Sequence, residues 1–253
     1  MLTKHPIEDL YAAIPEVEPY PKGVVTVPAR LKGQAFFPGG AGLWDVERDT
    51  GLPPMPVGGV MVLGQDFYSE ESFAQLLAAG ANAPKSATWH RLLELLNDVG
   101  ISLDRCFFTN AYMGLRQGSG NTGRFPGSRD PAFVDRCRKF LLRQLSTQKP
   151  SVVLALGSFV PLFLAPLSPQ LRQWESARTL TAVDIAGPVA HEVTFSGSDA
   201  PACSIVALTH PSMRGSNVHR RRFEQLSGRE AELAMIHEAL GNSLVTRHAR
   251  QAL

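Results

Sequence analysis

Cysteine is scarce in this 253-residue chain: Cys106, Cys137 and Cys203 are widely separated, with no CxxC pair and no histidine at ligand spacing. That excludes a structural zinc site and a disulfide framework. No apolar run approaches the ~20 residues that cross a bilayer as a helix, and the N-terminal residues are too polar for a signal peptide. These absences predict a soluble protein of a reducing cytoplasm with no membrane partner. An excess of one charge is missing too, since 25 Lys and Arg stand against 23 Asp and Glu for a formal net charge of +2. Any basic surface must therefore be local. Glycine and proline follow no fixed period, which excludes collagen-like and low-complexity architectures.

What is present is apolar material for a sizeable core, 44% of residues against 19% charged. Residues 1–58 are rich in Pro and Gly without sustained helical period, and predict an extended arm packed on a single domain spanning 1–253. Short, continuous apolar runs bounded by turn residues then recur at 59–64, 105–110, 151–157 and 204–209. Each reads as a strand buried on both faces. Between them lie helical patterns at 88–99 and at 131–145, where Pro131 behind Asp130 reads as an N1 proline after an Asp cap, and a last helix spans 228–240. This alternation predicts an α/β fold: a three-layer α/β/α sandwich around a central, mostly parallel four-stranded sheet.

In such sheets function gathers at the carboxyl ends of the strands. There stand Gln65-Asp66-Phe67-Tyr68, Asn110-Ala111-Tyr112, Gly157-Ser158 and His210-Pro211-Ser212. An Asp alone at a strand end is usually a turn or cap residue. An Asp, an Asn and a His arriving from three ends of one sheet instead make a constellation. A carboxylate facing an imidazole suits cleavage of a bond whose transition state has a positive and a negative part. An N-glycosidic bond to a pyrimidine breaks that way, the sugar becoming cation-like and the departing base anionic.

These residues resemble the uracil-DNA glycosylase superfamily. Gly64-Gln65-Asp66-Phe67-Tyr68 is similar to its water-activating Gly-Gln-Asp-Pro-Tyr-His segment, and Phe108-Thr109-Asn110-Ala111 to the strand end whose Asn reads the base. Leu156-Gly157-Ser158 is similar to the third-strand glycine segment, and His210-Pro211-Ser212-Met213-Arg214 to the His-Pro-Ser loop. The order and spacing agree from residue 58 to about 223.

The resemblance implies a monofunctional enzyme that flips uracil from DNA and hydrolyses its glycosidic bond without a cofactor; a monomer is the default for an enzyme that must embrace a strand. It implies that Asp66 orients the attacking water and that His210 donates to the uracil oxygen that gains charge. Gln65, Tyr68, Phe73 and Asn110 would bind the base: Asn110 on its imide edge, Tyr68 against C5 to exclude a methyl group, Phe73 by stacking. Ser158 and Ser212 would pin phosphates, and Met213 or Arg214 would fill the vacated stack. Branches with an iron–sulfur cluster need four cysteines, so no metal is implied. Phe67 replaces the motif proline, and Ser69 its terminal histidine. These departures support an alternative, a non-catalytic binder of single-stranded nucleic acid or nucleobase on the same fold, and a glycosylase for another damaged base is a third reading.

Positive residues cluster between Arg116 and Arg143 and again at Arg214, Arg220, Arg221 and Arg222. A DNA-contacting surface and ordinary solvated faces both fit them. The glycine-rich segment 114–130 reads as a flexible surface loop. It lacks the Gly-Lys-Ser/Thr ending of a nucleotide-binding P-loop, and no Gly-x-Ser-x-Gly elbow supports Ser-His-Asp catalysis.

Overall fold

Four of the five strands of the central sheet are the apolar runs named above. The computed structural model describes residues 5–44, 52–79 and 86–251; residues 1–4 and 45–51 of the expected arm lie outside them. In chain order the strands are β1 (Val24–Val25), β2 (Val60–Gly64), β3 (Cys106–Asn110), β4 (Leu115–Arg116), β5 (Val152–Leu156), β6 (Val189–Val193), β7 (Cys203–Leu208), β8 (Arg222–Phe223) and β9 (Leu226–Ser227). The helices are α1 (Pro6–Ala13), α2 (Glu70–Ala78), α3 (Ala87–Asp98), α4 (Pro131–Gln148), α5 (Phe159–Leu164), α6 (Leu180–Ala186), α7 (Arg214–Asn217) and α8 (Gly228–Gln251).

The sheet order is β3-β2-β5-β7-β6. The first four strands pair in parallel, and β6 joins antiparallel to β7. This fifth strand corrects the expected count of four. Its sequence, Val-Ala-His-Glu-Val, leaves His191 and Glu192 outside the buried set, as an edge strand half in water allows, so it shows no continuous apolar run. The central strands are buried at every position. Their alternating side chains feed two cores. Met61, Leu63, Phe107, Val153, Ile205 and Ala207 face one layer with α1, α4 and α5, while Val60, Val62, Phe108, Leu154, Val206 and Leu208 face the other with α3 and α8. That is the expected three-layer α/β/α sandwich. Each fully buried Leu, Ile or Phe contributes about 1.5–3 kcal/mol relative to exposure.

Asp130 caps α4, its Oδ1 accepting from the Phe133 N–H at 2.9 Å with Pro131 at the first turn. The helix continues past the expected end at 145 to Gln148. Gln144 and Gln148 lie buried on its inner stripe, Gln144 accepting from Thr109 Oγ1 at 2.5 Å and Gln148 donating to the Pro56 carbonyl at 2.8 Å. The arm is not wholly extended: α1 buries Ile7, Leu10 and Ala13. Farther along, Phe37 N–H donates to the Phe108 carbonyl at 3.0 Å and Phe108 N–H to the Gly42 carbonyl at 2.8 Å. The arm thereby covers the free edge of β3, which would otherwise offer unpaired backbone groups to another chain.

Candidate active site

Because β3, β2, β5 and β7 run in parallel, their carboxyl ends share one edge of the sheet. Asn110 is the last residue of β3, Asp66 follows β2 by two residues, Gly157 and Ser158 follow β5, and His210 follows β7 by two residues. Pairing continues past the strand ends: Ala111 N–H donates to the Gly64 carbonyl and Tyr112 N–H to the Gln65 carbonyl, each at 2.9 Å. The Asp66 turn is thus laid alongside the residues after Asn110.

Two glycines set how closely these groups approach. A Cβ on Gly64 would stand 2.5 Å from Asn110 Oδ1, so only hydrogen leaves room for that amide. Gly157 has φ +88°, a left-handed conformation suited to glycine, and a Cβ there would meet His210 Cβ at 3.3 Å. Asn110 is buried, and one of its amide protons goes to the Phe37 carbonyl at 3.0 Å.

Asp66 is held from several sides. Arg116 grips it with both arms of the guanidinium, Nε to Oδ2 at 2.7 Å and Nη2 to Oδ1 at 2.9 Å. Gln65 Nε2 donates to Oδ1 at 2.8 Å and to the Gly123 carbonyl at 3.1 Å. The Gln65 side chain, expected to bind the base, is thus occupied with orienting Asp66 and the loop. Ser69, standing where the resembling motif has histidine, is buried and caps α2 by accepting from Ser72 N–H at 3.3 Å.

His210 is oriented from its other ring nitrogen. Ser212 N–H, which can only donate, points at Nδ1 from 3.3 Å, and Ser212 Oγ lies 2.7 Å from the same atom. Nδ1 is therefore an acceptor, and the proton of the neutral ring sits on Nε2. Burial pushes the imidazole below its ordinary pKa of 6.5, with the negative charge of Asp66 opposing that shift. The loop around it is fixed at both ends by Glu232, fully buried on α8. Glu232 Oε1 accepts from Thr209 N–H at 2.6 Å and from Arg221 Nη1 at 2.7 Å, and Oε2 pairs with Arg214. Arg221 in turn clasps Asp184, Nη2 to Oδ1 at 2.7 Å. Arg91 on α3 adds a bond to the Ser212 carbonyl at 3.1 Å.

Several expectations are revised by this placement. Phe73 is buried in a small cluster with Leu31 and Leu115 and offers no open face for stacking. A partly exposed ring does stand beside the Asn110 amide, that of Phe36, 3.5 Å from the point a Gly64 Cβ would occupy. Sequence reading missed it because it comes from the arm. Arg214 is buried and paired to Glu232, whereas Met213 is 46% exposed, so of the two wedge candidates only Met213 protrudes. Ser212 directs its N–H and hydroxyl to His210, while Ser158 is half-buried at the start of α5. Tyr68 is partly buried with its ring edge-on to Phe67 at 4.6 Å, and burial raises its pKa. Phe67 itself packs against Gly39 of the arm.

The basic clusters are in part structural. Arg116 and Arg221 are buried in ion pairs, Arg136 donates to the Val17 carbonyl at 3.0 Å, and Arg138 to the Phe163 carbonyl at 3.1 Å. Arg124, Arg129, Lys139, Arg143, Arg220 and Arg222 remain exposed. The glycine-rich loop is docked, not free: Asn121 Oδ1 accepts from Ser69 N–H at 2.7 Å and Glu71 N–H donates to the Gly118 carbonyl at 3.2 Å. Burial pushes all three thiols up to about 12. Among the described residues no group of His, Cys, Asp and Glu could hold a metal ion, and no helix is long and apolar enough to cross a membrane.

A mostly parallel sheet between two helical layers carries a carboxylate, an amide and an imidazole along the carboxyl ends of its parallel strands, where α/β folds form their ligand crevices. The family model of the Uracil DNA glycosylase superfamily matches residues 55–234, well over half of the chain, and the protein belongs to that superfamily. Its domain is of the DNA glycosylase type, built to engage DNA as substrate. Among individual curated proteins, none matches the chain.

Proposed function

We propose that the protein is a monofunctional uracil-DNA glycosylase that hydrolyses the N-glycosidic bond of a flipped-out uracil. The observation that carries this reading is the convergence of Asp66, Asn110 and a His210 whose ring presents Nε2–H. Asp66 holds the attacking water and offsets the positive charge that develops on the sugar. His210 donates from Nε2 to the uracil oxygen as the base leaves with the bonding pair. A neutral donor suits that task, because it stabilises the anion without having to release a proton to it. Asn110 keeps its Oδ1 and one amide proton for the imide edge, and Phe36 takes the stacking role that Phe73 cannot fill. Tyr68 excludes a C5 methyl by bulk.

Met213 is the wedge that fills the vacated stack, and exposed Arg124, Arg129 and Arg220 meet the phosphate backbone. Flipping costs a few kcal/mol and least for unpaired bases, so single-stranded or mismatched uracil should react fastest.

The two-armed pairing of Asp66 with Arg116 specifically favours a second reading, a nucleic-acid or nucleobase binder whose carboxylate no longer activates water. Base release from otherwise identical oligonucleotides carrying uracil, thymine or hypoxanthine separates the readings. The enzyme releases uracil alone. Release of another base in its place assigns a different substrate, and salt-sensitive binding without any release assigns the binder.

A further inference from the structure

Arg116 was visible in the sequence only as one member of a basic cluster. Its backbone is fixed twice over, in β4 against β1 and by its N–H to the Tyr68 carbonyl at 3.1 Å, so its side chain is launched along the Asp66 turn. Only 6% of the residue is exposed, and the guanidinium lies 5.6 Å from the Phe125 ring centroid. A guanidinium has five N–H donors, and every one is placed. Nε and one Nη2 proton go to Asp66, the other Nη2 proton to the Gly123 carbonyl at 2.8 Å. The two on Nη1 go to the carbonyls of Thr122 at 2.9 Å and Arg124 at 3.3 Å. Nothing remains for a phosphate or a base.

The acceptor side can be counted in the same way. A carboxylate offers about four lone-pair directions, two on each oxygen. Among the described residues, Oδ1 of Asp66 receives Arg116 Nη2 and Gln65 Nε2, while Oδ2 receives only Arg116 Nε. One acceptor direction is left, and it is on Oδ2. We infer that Arg116 is a positioning residue for base release: its planar fork fixes the rotation of the Asp66 carboxylate so that the single open direction on Oδ2 presents the water. Three loop carbonyls hold the fork independently of Asp66, so the carboxylate is set before DNA arrives. A lysine, a point charge on a flexible stem, cannot impose that plane.

This inference rests on the glycosylase reading, and one experiment separates the two. Single-turnover uracil release and the DNA concentration for half-saturation are measured for wild type, Asp66→Asn, Arg116→Gln and Arg116→Lys, with thermal midpoints alongside. For Arg116→Gln we expect the saturated rate to fall about 100-fold, the scale of a small misplacement of a reacting group, with half-saturation within about twofold of wild type. Arg116→Lys should recover the thermal midpoint and leave most of the rate deficit in place. A wild type that releases no uracil removes the glycosylase reading itself. An active wild type, an inactive Asp66→Asn and an Arg116→Gln variant at full or raised rate leave that reading standing and overturn the role given to Arg116. Full recovery of the rate by Arg116→Lys overturns it as well, because charge without the fork would then suffice.

Discussion

Arg116 and Glu232 hold opposite shoulders of the same crevice, one from beside a solvent-facing loop and the other from the interior. Arg116 binds Asp66 on one side and the carbonyls of exposed residues 122–124 on the other. Glu232 binds Thr209 N–H, Arg214 and Arg221 in a network closed by Asp184, where the side chains of Glu232, Arg221 and Asp184 are at most 4% exposed. On the proposed reading, the carboxylate assigned to the water is thus set by a part of the molecule that can be altered locally. The orientation of the imidazole donor is tied to the packing of α8 on the sheet, and hence to the stability of the whole fold.

The largest expected effect lies on the interior side. Glu232→Gln leaves Arg214 without its buried counter-charge and Arg221 with Asp184 alone, and should destabilise the protein by about 3–5 kcal/mol in denaturant unfolding. A change of only a few tenths would dissolve the contrast between the two shoulders. Next, His210→Ala removes the donor but not the network beneath it. Uracil release should fall about 100- to 1000-fold, as for loss of one donor to a developing anion, while the unfolding midpoint stays near wild type. If stability falls as far as in Glu232→Gln, donor and scaffold are not separable.

A smaller effect is expected at exposed Met213, the proposed wedge. Met213→Ala should slow release from paired DNA by about tenfold, the worth of one apolar side chain of ~1.5 kcal/mol, with less change on single strands. Equal losses on both substrates would remove Met213 from that role. The smallest effect is a pH dependence of stability. Burial lowers the native pKa of His210 below its ordinary 6.5, so the native state binds fewer protons there than the unfolded chain. The stabilising contribution is complete above 6.5 and is lost as pH falls through the lowered native value. Urea midpoints between about pH 5 and 7 should show that slope in wild type and lose part of it in His210→Gln. Identical slopes would show that the ring titrates alike in both states.

The parallel core was legible because buried strands such as Val60–Gly64 and Val152–Leu156 are continuous apolar runs ended by turn residues. Strand β6 was not, since its half-wet edge breaks the run at His191 and Glu192. Asp66, Asn110 and His210 could be proposed together because parallel topology alone carries strand ends to one edge. The partners of these residues were hidden for a physical reason. Arg116 lies 50 positions from Asp66, and Glu232 lies 23 from Thr209, so no local period encodes either bond. The same blindness placed Phe73 at the base, left Phe36 unnoticed in the arm and left Arg214 as a wedge candidate.

The most direct measurement is release of free uracil from a single-uracil oligonucleotide by wild type and by Asp66→Asn, in EDTA, with binding to the same DNA followed in parallel. We expect release by wild type and its loss in the Asn variant while binding persists. Equal release by both proteins would contradict the central role of Asp66, and binding without release by either would contradict the assignment of this crevice to uracil hydrolysis.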